Sequence, residues 1–482
     1  MHIHSPSLPV AAQPSLYVRG LLALRNNDAE DAASLLTRAL RREPEHCGVH
    51  RNLVRALLLG EHWDQVVIQA NAALVGMPDV AELHFAHGTA LNALGQHSKA
   101  CAAFAKALSL QPDHAASWLN MGNASADLDD LESAETLYRT ALRLDPALPE
   151  AYASLGYILT RQSRLAEAIQ AFETAIDRFP DFAPAHWNLA IAALLGGDLK
   201  RGFAEYEWRK HHPRYRSDFP ILPGPPWDGS DPAGQTILIR AEQGFGDTIQ
   251  FARYLPLIAA AGGKPVLVCH PSLVPLIGTM AGVTARAHGP TPPAFDTWID
   301  MASLPFVFGT TMETVPYPTA YLRADPVRSE AWRGQLPTGR KVGVVFSGNP
   351  RHPDDRRRSI PLELVRLPDI PSLSFIDLHF GEELPRLGLP NLTTWMKDYA
   401  ETAALIANLD LVVTVDTSVA HLAGALGKPV WILLPHAPDW RWTLGRSDST
   451  WYKSARLFRQ QAAGDWTGVL NRAFGALMCS PR

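Results

Sequence analysis

Three short stretches in the second half of the chain have residue types suited to holding a charged ligand. The first reads Ala241-Glu242-Gln243-Gly244-Phe245-Gly246-Asp247-Thr248-Ile249. It leaves an apolar run and opens a helical one. Gly244 and Gly246 let the backbone turn tightly and let a ligand approach it. Asp247 at a helix start would cap that helix, a contribution of about 1 kcal/mol. A dinucleotide fingerprint is matched only superficially, because Ile249 stands where a third small residue belongs. The second stretch is Ser347-Gly348-Asn349-Pro350, followed by a basic loop with Arg356, Arg357 and Arg358. A hydroxyl, backbone amides and guanidinium groups beside a strand end form a diphosphate cradle. The third is Asp416-Thr417-Ser418, with His421 one turn into the helix that begins there. Free N–H groups and the positive end of the helix dipole would face the adjoining cleft. Downstream, Asp439, Trp440 and Arg441 suit either contact with a nucleoside or plain aromatic packing.

Such loops need rigid elements beneath them. The runs 236–240, 265–269, 341–346, 374–378, 411–415 and 430–434 read as buried parallel strands, and 251–261 as helix. Strands alternating with helices predict doubly wound sheets. Two separate strand-loop-helix motifs predict two Rossmann-like lobes, at 235–335 and 336–482, with a ligand cleft between them. A terminal helix near Asp465–Leu477 is expected to return to the first lobe. Ahead of the lobes, Phe219-Pro220-Ile221-Leu222-Pro223-Gly224-Pro225-Pro226 cannot be helical, so 211–234 reads as an extended connector.

The first half is periodic. Pro44, Pro78, Pro112, Pro146 and Pro180 are each 34 residues apart, and Ala39, Ala73, Ala107, Ala141 and Ala175 march in phase. Gly20, Gly88, Gly122 and Gly156 form a third register, with Val54 in the missing place; Leu36, Phe104, Tyr138 and Phe172 form a fourth. Such a unit is two antiparallel helices that bury their apolar faces only by stacking on neighbours. The registers, with Trp118 and Tyr152 near repeat starts, resemble the tetratricopeptide repeat and imply an α-solenoid over residues 15–210. A sixth, degenerate unit keeps Leu189 and Tyr206 but puts Gly202 and Arg209 where small alanines are expected. Asn52, Asn120 and Asn188 share one repeat position, which faces the groove in tetratricopeptide superhelices. The eukaryotic O-GlcNAc transferases carry an asparagine ladder there, and an amide both donates to and accepts from a peptide backbone. The plain alternative is a solvated polar helix surface.

The second half resembles the bacterial heptosyltransferase group over residues 235–478, and hence the GT-B glycosyltransferase fold. That resemblance makes Asp247, after the second glycine, the general base, with Glu242 in reserve. It assigns donor phosphates to Arg358 or Arg357. The Asp-Thr-Gly-x-x-His pattern of that group matches Asp416 to His421, except that Ser418 replaces glycine. The implied substrate-binding set is Gln243, Gly244, Gly246, Ser347, Asn349, Arg357, Arg358, Asp416, Thr417, Ser418, His421, Asp439, Trp440 and Arg441.

Composition narrows the rest. With 46% hydrophobic and 19% charged residues over 482, the chain is a folded multidomain protein. A net charge of −4 gives no electrostatic case for nucleic acid. Residues 1–14 read as a disordered N-terminus without a signal peptide, and the four cysteines as buried thiols, so the cytoplasm is the default location. No metal is expected: Asp127-Leu128-Asp129 falls in a repeat turn, and His2, His4, His211 and His212 lack a supporting set. No cofactor is expected beyond a nucleotide-sugar co-substrate. The layout resembles bacterial protein glycosyltransferases with repeat front ends. It implies an inverting, metal-independent transferase acting on Ser or Thr of a protein held by the repeats (flagellin is one candidate), without nucleic acid or membrane insertion. The alternatives are a non-catalytic scaffold with a nucleotide-binding module, or a transferase for lipid-linked or polysaccharide acceptors.

Overall fold

The computed structural model describes residues 15–479 except 214, 216–221, 318, 353, 372, 380–386, 390–391 and 393–395. The expected disordered segment 1–14 and part of the proline-rich run therefore lie outside the described residues. The chain divides into two compact units, Met1–Pro180 and Asp181–Arg482.

The first unit is five helical hairpins: α1 (Leu16–Arg25) with α2 (Ala29–Leu40), α3 (Cys47–Leu59) with α4 (Trp63–Gly76), α5 (Ala81–Ala93) with α6 (His97–Leu110), α7 (Ala115–Asp127) with α8 (Leu131–Leu144), and α9 (Pro149–Arg161) with α10 (Leu165–Arg178). The glycine and large-residue registers meet inside each hairpin. A Cβ on Gly88, Gly122 or Gly156 would stand 2.8, 2.6 or 2.4 Å from the ring of Phe104, Tyr138 or Phe172. The second hairpin exchanges the sizes: Val54 takes the glycine's place and Ala70 the ring's, both fully buried. Core volume is thus conserved where the sequence register breaks.

A further register emerges in the turns. Asn27, Glu61, Gly95, Asp129 and Ser163 all have positive φ, from 56° to 73°, and each lies 34 residues after the last. Each hairpin therefore turns through one left-handed residue, a conformation costing a non-glycine about 1–2 kcal/mol. Asp129 of the Asp127-Leu128-Asp129 run sits in one of these turns, paired with Arg161. Glu61 is exposed. Glu61→Gly is expected to raise the unfolding free energy by about 1 kcal/mol; a denaturant midpoint at or below wild type would show that the turn is not strained.

The second unit begins with a sixth hairpin, α11 (Ala183–Gly196) and α12 (Leu199–Tyr206), followed by two all-parallel sheets. The first sheet has the order β3-β2-β1-β4, from β1 (Thr236–Arg240), β2 (Lys264–Cys269), β3 (Thr284–Ala287) and β4 (Thr297–Asp300). The second has the order β6-β5-β7-β8-β9, from β5 (Arg340–Val345), β6 (Leu373–Asp377), β7 (Leu411–Val415), β8 (Val430–Leu434) and β9 (Ala455–Arg459). Strand order reverses between β1 and β4 and between β5 and β7. Ligands of such sheets bind beyond the strand ends at these reversals.

The sixth hairpin explains its own odd residues. A Cβ on Gly202 would lie 2.5 Å from Leu194, so only glycine lets α12 approach α11. Arg209 is 1% exposed and donates to Glu207 (2.8 Å), Glu242 (2.9 Å) and Ser303 (2.8 Å). Phe203 packs edge-on to Trp440 and Trp451 at 5.6 and 6.3 Å. The hairpin is thereby built into the α/β part.

Two expectations are corrected. The terminal helix, Trp466–Cys479, does not return to the first sheet. Its single apolar stripe, Trp466, Val469, Leu470, Ala473, Phe474 and Leu477, is spent on the second sheet's own core with Val344, Val413 and Leu433. Of the cysteines only Cys269 is buried; Cys47 and Cys479 are exposed. Among the described residues no helix is long and apolar enough to cross a membrane.

Candidate active site

The loop after β1 and the loop after β7 lie at the strand-order reversals of their sheets, and they meet. Helix Phe245–Phe251 opens at Gly244, its N-cap, with no side-chain capping bond. Asp247 therefore does not cap this helix; it occupies the third helical position, where the dipole favours an acid. Helix Ser418–Ala425 opens at Thr417. Gly246 is the contact between the two helices: a Cβ there would stand 2.8 Å from His421 Cδ2. This glycine thus serves helix approach, not the ligand approach expected from the sequence.

Arg441 joins the two sheets' loops. Its Nη2 donates to Asp247, its Nη1 to Asp439 at 2.8 Å and its Nε to the Gln250 amide oxygen at 2.6 Å. The guanidinium also lies 4.3 Å over the Trp440 ring. The Asp247 side chain keeps 23% exposure and Asp439 36%, so both carboxylates reach solvent. Asp416 is more enclosed. Burial, and then the neighbouring Asp439 carboxylate, push its carboxyl up to about 6, while Arg441 and Arg358 oppose the shift.

His421 and Trp440 need correction as ligand contacts. His421 is 5% exposed, its Nδ1 2.9 Å from the Tyr452 hydroxyl and its ring stacked on Trp442 at 5.4 Å. Burial, with Arg441, Arg253 and Arg358, holds it well below the usual histidine range, so it is a neutral packing residue behind Asp416. Trp440 is 2% exposed, among Phe203, Tyr206 and Trp451. Its ring is consumed by the core, the packing alternative of the sequence reading.

Gln243 and Ser418 hold tyrosines that the motifs did not reveal. The Gln243 amide donates to the Tyr206 hydroxyl at 2.8 Å. Burial keeps that phenol above its ordinary range, with Arg441 and Asp247 close enough to act on it. The Tyr399 hydroxyl donates to Ser418 Oγ at 2.8 Å, and its ring lies 5.1 Å from that of Phe245. The Thr417 and Thr414 hydroxyls are 3.1 Å apart. Glu242 is fully engaged: it accepts from Arg209 and from the Met301 and Ala302 amides, both at 3.1 Å. Its pKa is raised by burial against the pull of Arg209. Glu242 braces the loop and has no oxygen to spare as a base.

The loop after β5 makes a second constellation. Gly348 N–H donates to Ser359 Oγ (2.9 Å), Ser359 Oγ to Asp355 (3.0 Å) and Arg358 Nε to Asp355 (3.1 Å). Arg358 is thus folded over Gly348, while Arg357 points outward to Asp354 at 3.2 Å. This favours Arg358 of the two arginines. Asn349 is exposed and accepts from the Arg351 amide at 3.0 Å. The Ser347 amide donates to His379 Nε2 at 3.1 Å, so that nitrogen is an acceptor and Nδ1 carries the proton toward Asp377 at 3.0 Å. The Ser347 hydroxyl donates to the same Nε2 at 2.7 Å. Its oxygen is left to accept, which suits a ligand hydroxyl better than the phosphate expected of it.

Asn52, Asn120 and Asn188 are all half-buried. Asn52 spends its amide N–H on the Gly48 carbonyl (2.8 Å) and the Tyr17 hydroxyl (3.3 Å), leaving its oxygen to the surface. Asn120 Oδ1 lies 3.5 Å from Asn123 Nδ2.

Residues 17–75, 85–149 and 154–207 match the tetratricopeptide-repeat family. Residues 397–439 match glycosyltransferase family 9 (heptosyltransferase), a stretch that includes β7, Asp416 to His421 and β8. Protein FlbA of Caulobacter vibrioides is 28% identical over 461 residues, which cover 84% of this chain and 76% of FlbA. The protein O-mannosyl-transferase TMTC3 of Mus musculus is 26% identical over 185 residues, 35% of this chain and 20% of that protein. The chain thus spans about three-quarters of FlbA and a fifth of TMTC3. Among solved structures, Pseudomonas aeruginosa pilF is 18% identical, with a TM-score of 0.36, covering 41% of this chain and 89% of that one.

Proposed function

We infer, from a chain that joins tetratricopeptide repeats to a glycosyltransferase, that it transfers a sugar from a nucleotide-sugar to a serine or threonine of a protein held by the repeats. The two parallel sheets are read as the acceptor and donor lobes of a GT-B fold. The observation that carries the reading is the packing, at two strand-order reversals, of the helix that bears the partly exposed Asp247 against the helix that opens at Thr417, through Gly246 and His421.

The proposed step inverts the anomeric carbon. The acceptor hydroxyl oxygen attacks that carbon from the face opposite the nucleotide, and its proton passes to Asp247. The bond from the anomeric carbon to the phosphate oxygen breaks, and that oxygen keeps the electron pair. Arg358 and the free N–H groups at Ser418 stabilise the charge it gains. No divalent metal takes part in this scheme. In the repeats, Asn52, Asn120 and Asn188 are assigned to the acceptor backbone. Flagellin is the acceptor class we favour.

Intact-mass spectra of flagellin from cells with and without this gene test the reading. A sugar-sized increment that needs the gene is expected. The purified protein should transfer the same mass in the presence of chelator. Asn52, Asn120 and Asn188 together changed to alanine should weaken acceptor binding and leave nucleotide affinity intact. Identical flagellin masses from both cells would remove the flagellin assignment, and strict dependence on added metal would remove the mechanism.

A further inference from the structure

A diphosphate needs a free cation, yet the guanidinium at the junction of the two sheets is already taken. Three of the five N–H donors of Arg441 are spent, one each on Asp439, Gln250 and Asp247. A third carboxylate, Asp416, lies close enough to feel both Arg441 and Asp439. Three carboxylates thus face one guanidinium, and their charge opposes an anionic ligand at its remaining N–H groups until one carboxylate withdraws.

The three partners are not equally replaceable. Asp439 sits two residues before Arg441 and is held twice, accepting from the Arg441 side chain and from its backbone N–H at 3.0 Å. Gln250 is buried and neutral, and its exchange would relieve no charge. Asp247 comes from the other sheet's loop, touches Arg441 through one oxygen and is partly exposed. It is the partner that can leave.

We propose that Arg441 is a positioning residue with two alternative anions, Asp247 or the phosphate of a bound nucleotide. This rests on the reading of Asp247 as base. Without nucleotide, Arg441 covers the Asp247 carboxylate and keeps it from the acceptor hydroxyl. A nucleotide phosphate draws the guanidinium away, and Asp247 becomes free to take the proton. Donor occupancy thereby precedes deprotonation of the acceptor, by competition for a single cation.

The mechanism makes a counter-intuitive prediction about binding alone. Calorimetry with ADP, GDP, UDP, dTDP, CDP and CMP identifies the nucleotide that wild type binds. Asp247→Asn removes the competitor, so this nucleotide should bind about two- to fivefold more tightly, the size of a partly exposed ion pair. Arg441→Gln should bind it more weakly than wild type. In the Arg441→Gln background, Asp247→Asn should give no gain, because the competition it relieves is gone. A general loosening of the site would not depend on Arg441 in this way. Asp247→Ala repeats the measurement should the asparagine fold poorly. Equal or weaker binding by both Asp247 variants overturns the competition and leaves the donor-site reading standing. No binding of any nucleotide to wild type overturns both.

Discussion

Asp247→Asn is expected to fold, to bind nucleotide about two- to fivefold more tightly, and to lose about two orders of magnitude or more in turnover. A serine or threonine hydroxyl is a weak nucleophile at neutral pH, and taking its proton during attack contributes typically about 10²–10⁴-fold. The substitution keeps the side chain's shape and removes only the basic oxygen. Helix capping is no rival explanation, because Gly244 is the N-cap and no side chain caps it. The structural losses are small: a favourable dipole contact of about 0.3–1 kcal/mol and a partly exposed pair with Arg441 of similar size. Single-turnover transfer rates beside melting curves separate chemistry from folding. A wild-type rate would move the base to another residue. Glu242, whose oxygens are committed to Arg209, Met301 and Ala302, would not be the next choice; Asp439, exposed on the same arginine, would.

The largest stability effect is expected at Arg209. It lies at 1% exposure against Glu242 at 2%, where the sequence pattern called for a small alanine. Restoring that alanine, Arg209→Ala, should destabilise the second unit by about 3–5 kcal/mol, because it leaves a buried carboxylate without its cation. The pair need not be worth that much in itself; the cost is that of the orphaned charge. Arg209→Ala with Glu242→Gln should therefore recover much of the loss. The pH dependence has a definite sign. Burial already raises the Glu242 pKa in the folded state, so its contribution to stability is greatest below its unfolded value and is lost as pH rises through the folded one. Without Arg209 the shift grows, and the deficit should be largest near neutrality and shrink on acidification toward the ordinary glutamate range. Denaturant unfolding across that range measures it. A deficit independent of pH, and unrelieved by the Glu242 change, would mean that Arg209 acts through packing alone.

Both cases show where sequence reasoning stops. The repeats were legible because their contacts are local and recur. Gly156 meets Phe172 within one hairpin, and each such pair repeats at 34 residues. A contact that repeats leaves a register in the chain. The central strands β1, β2, β5, β7 and β8 were legible too, because strands buried on both faces must be apolar throughout. The strands that escaped, β3, β4 and β9, are at sheet edges, where among the described residues one flank has no partner strand and the apolar run is short; β6, also at an edge, was nevertheless legible.

The site divides along the same line. The sequence by itself determined which loops carry polar and glycine residues after a strand, and so placed Asp247, Ser347 and Asp416 at strand ends. Only the tertiary structure decided what those residues meet. Arg441 reaches Asp247 across 194 residues, Gly246 is small because His421 arrives from the other sheet, and Tyr206 leaves the last repeat hairpin to reach Gln243. These encounters occur once each, between elements far apart in the chain. They have no period and no local signature, and they arise only when two sheets and a hairpin pack into one body.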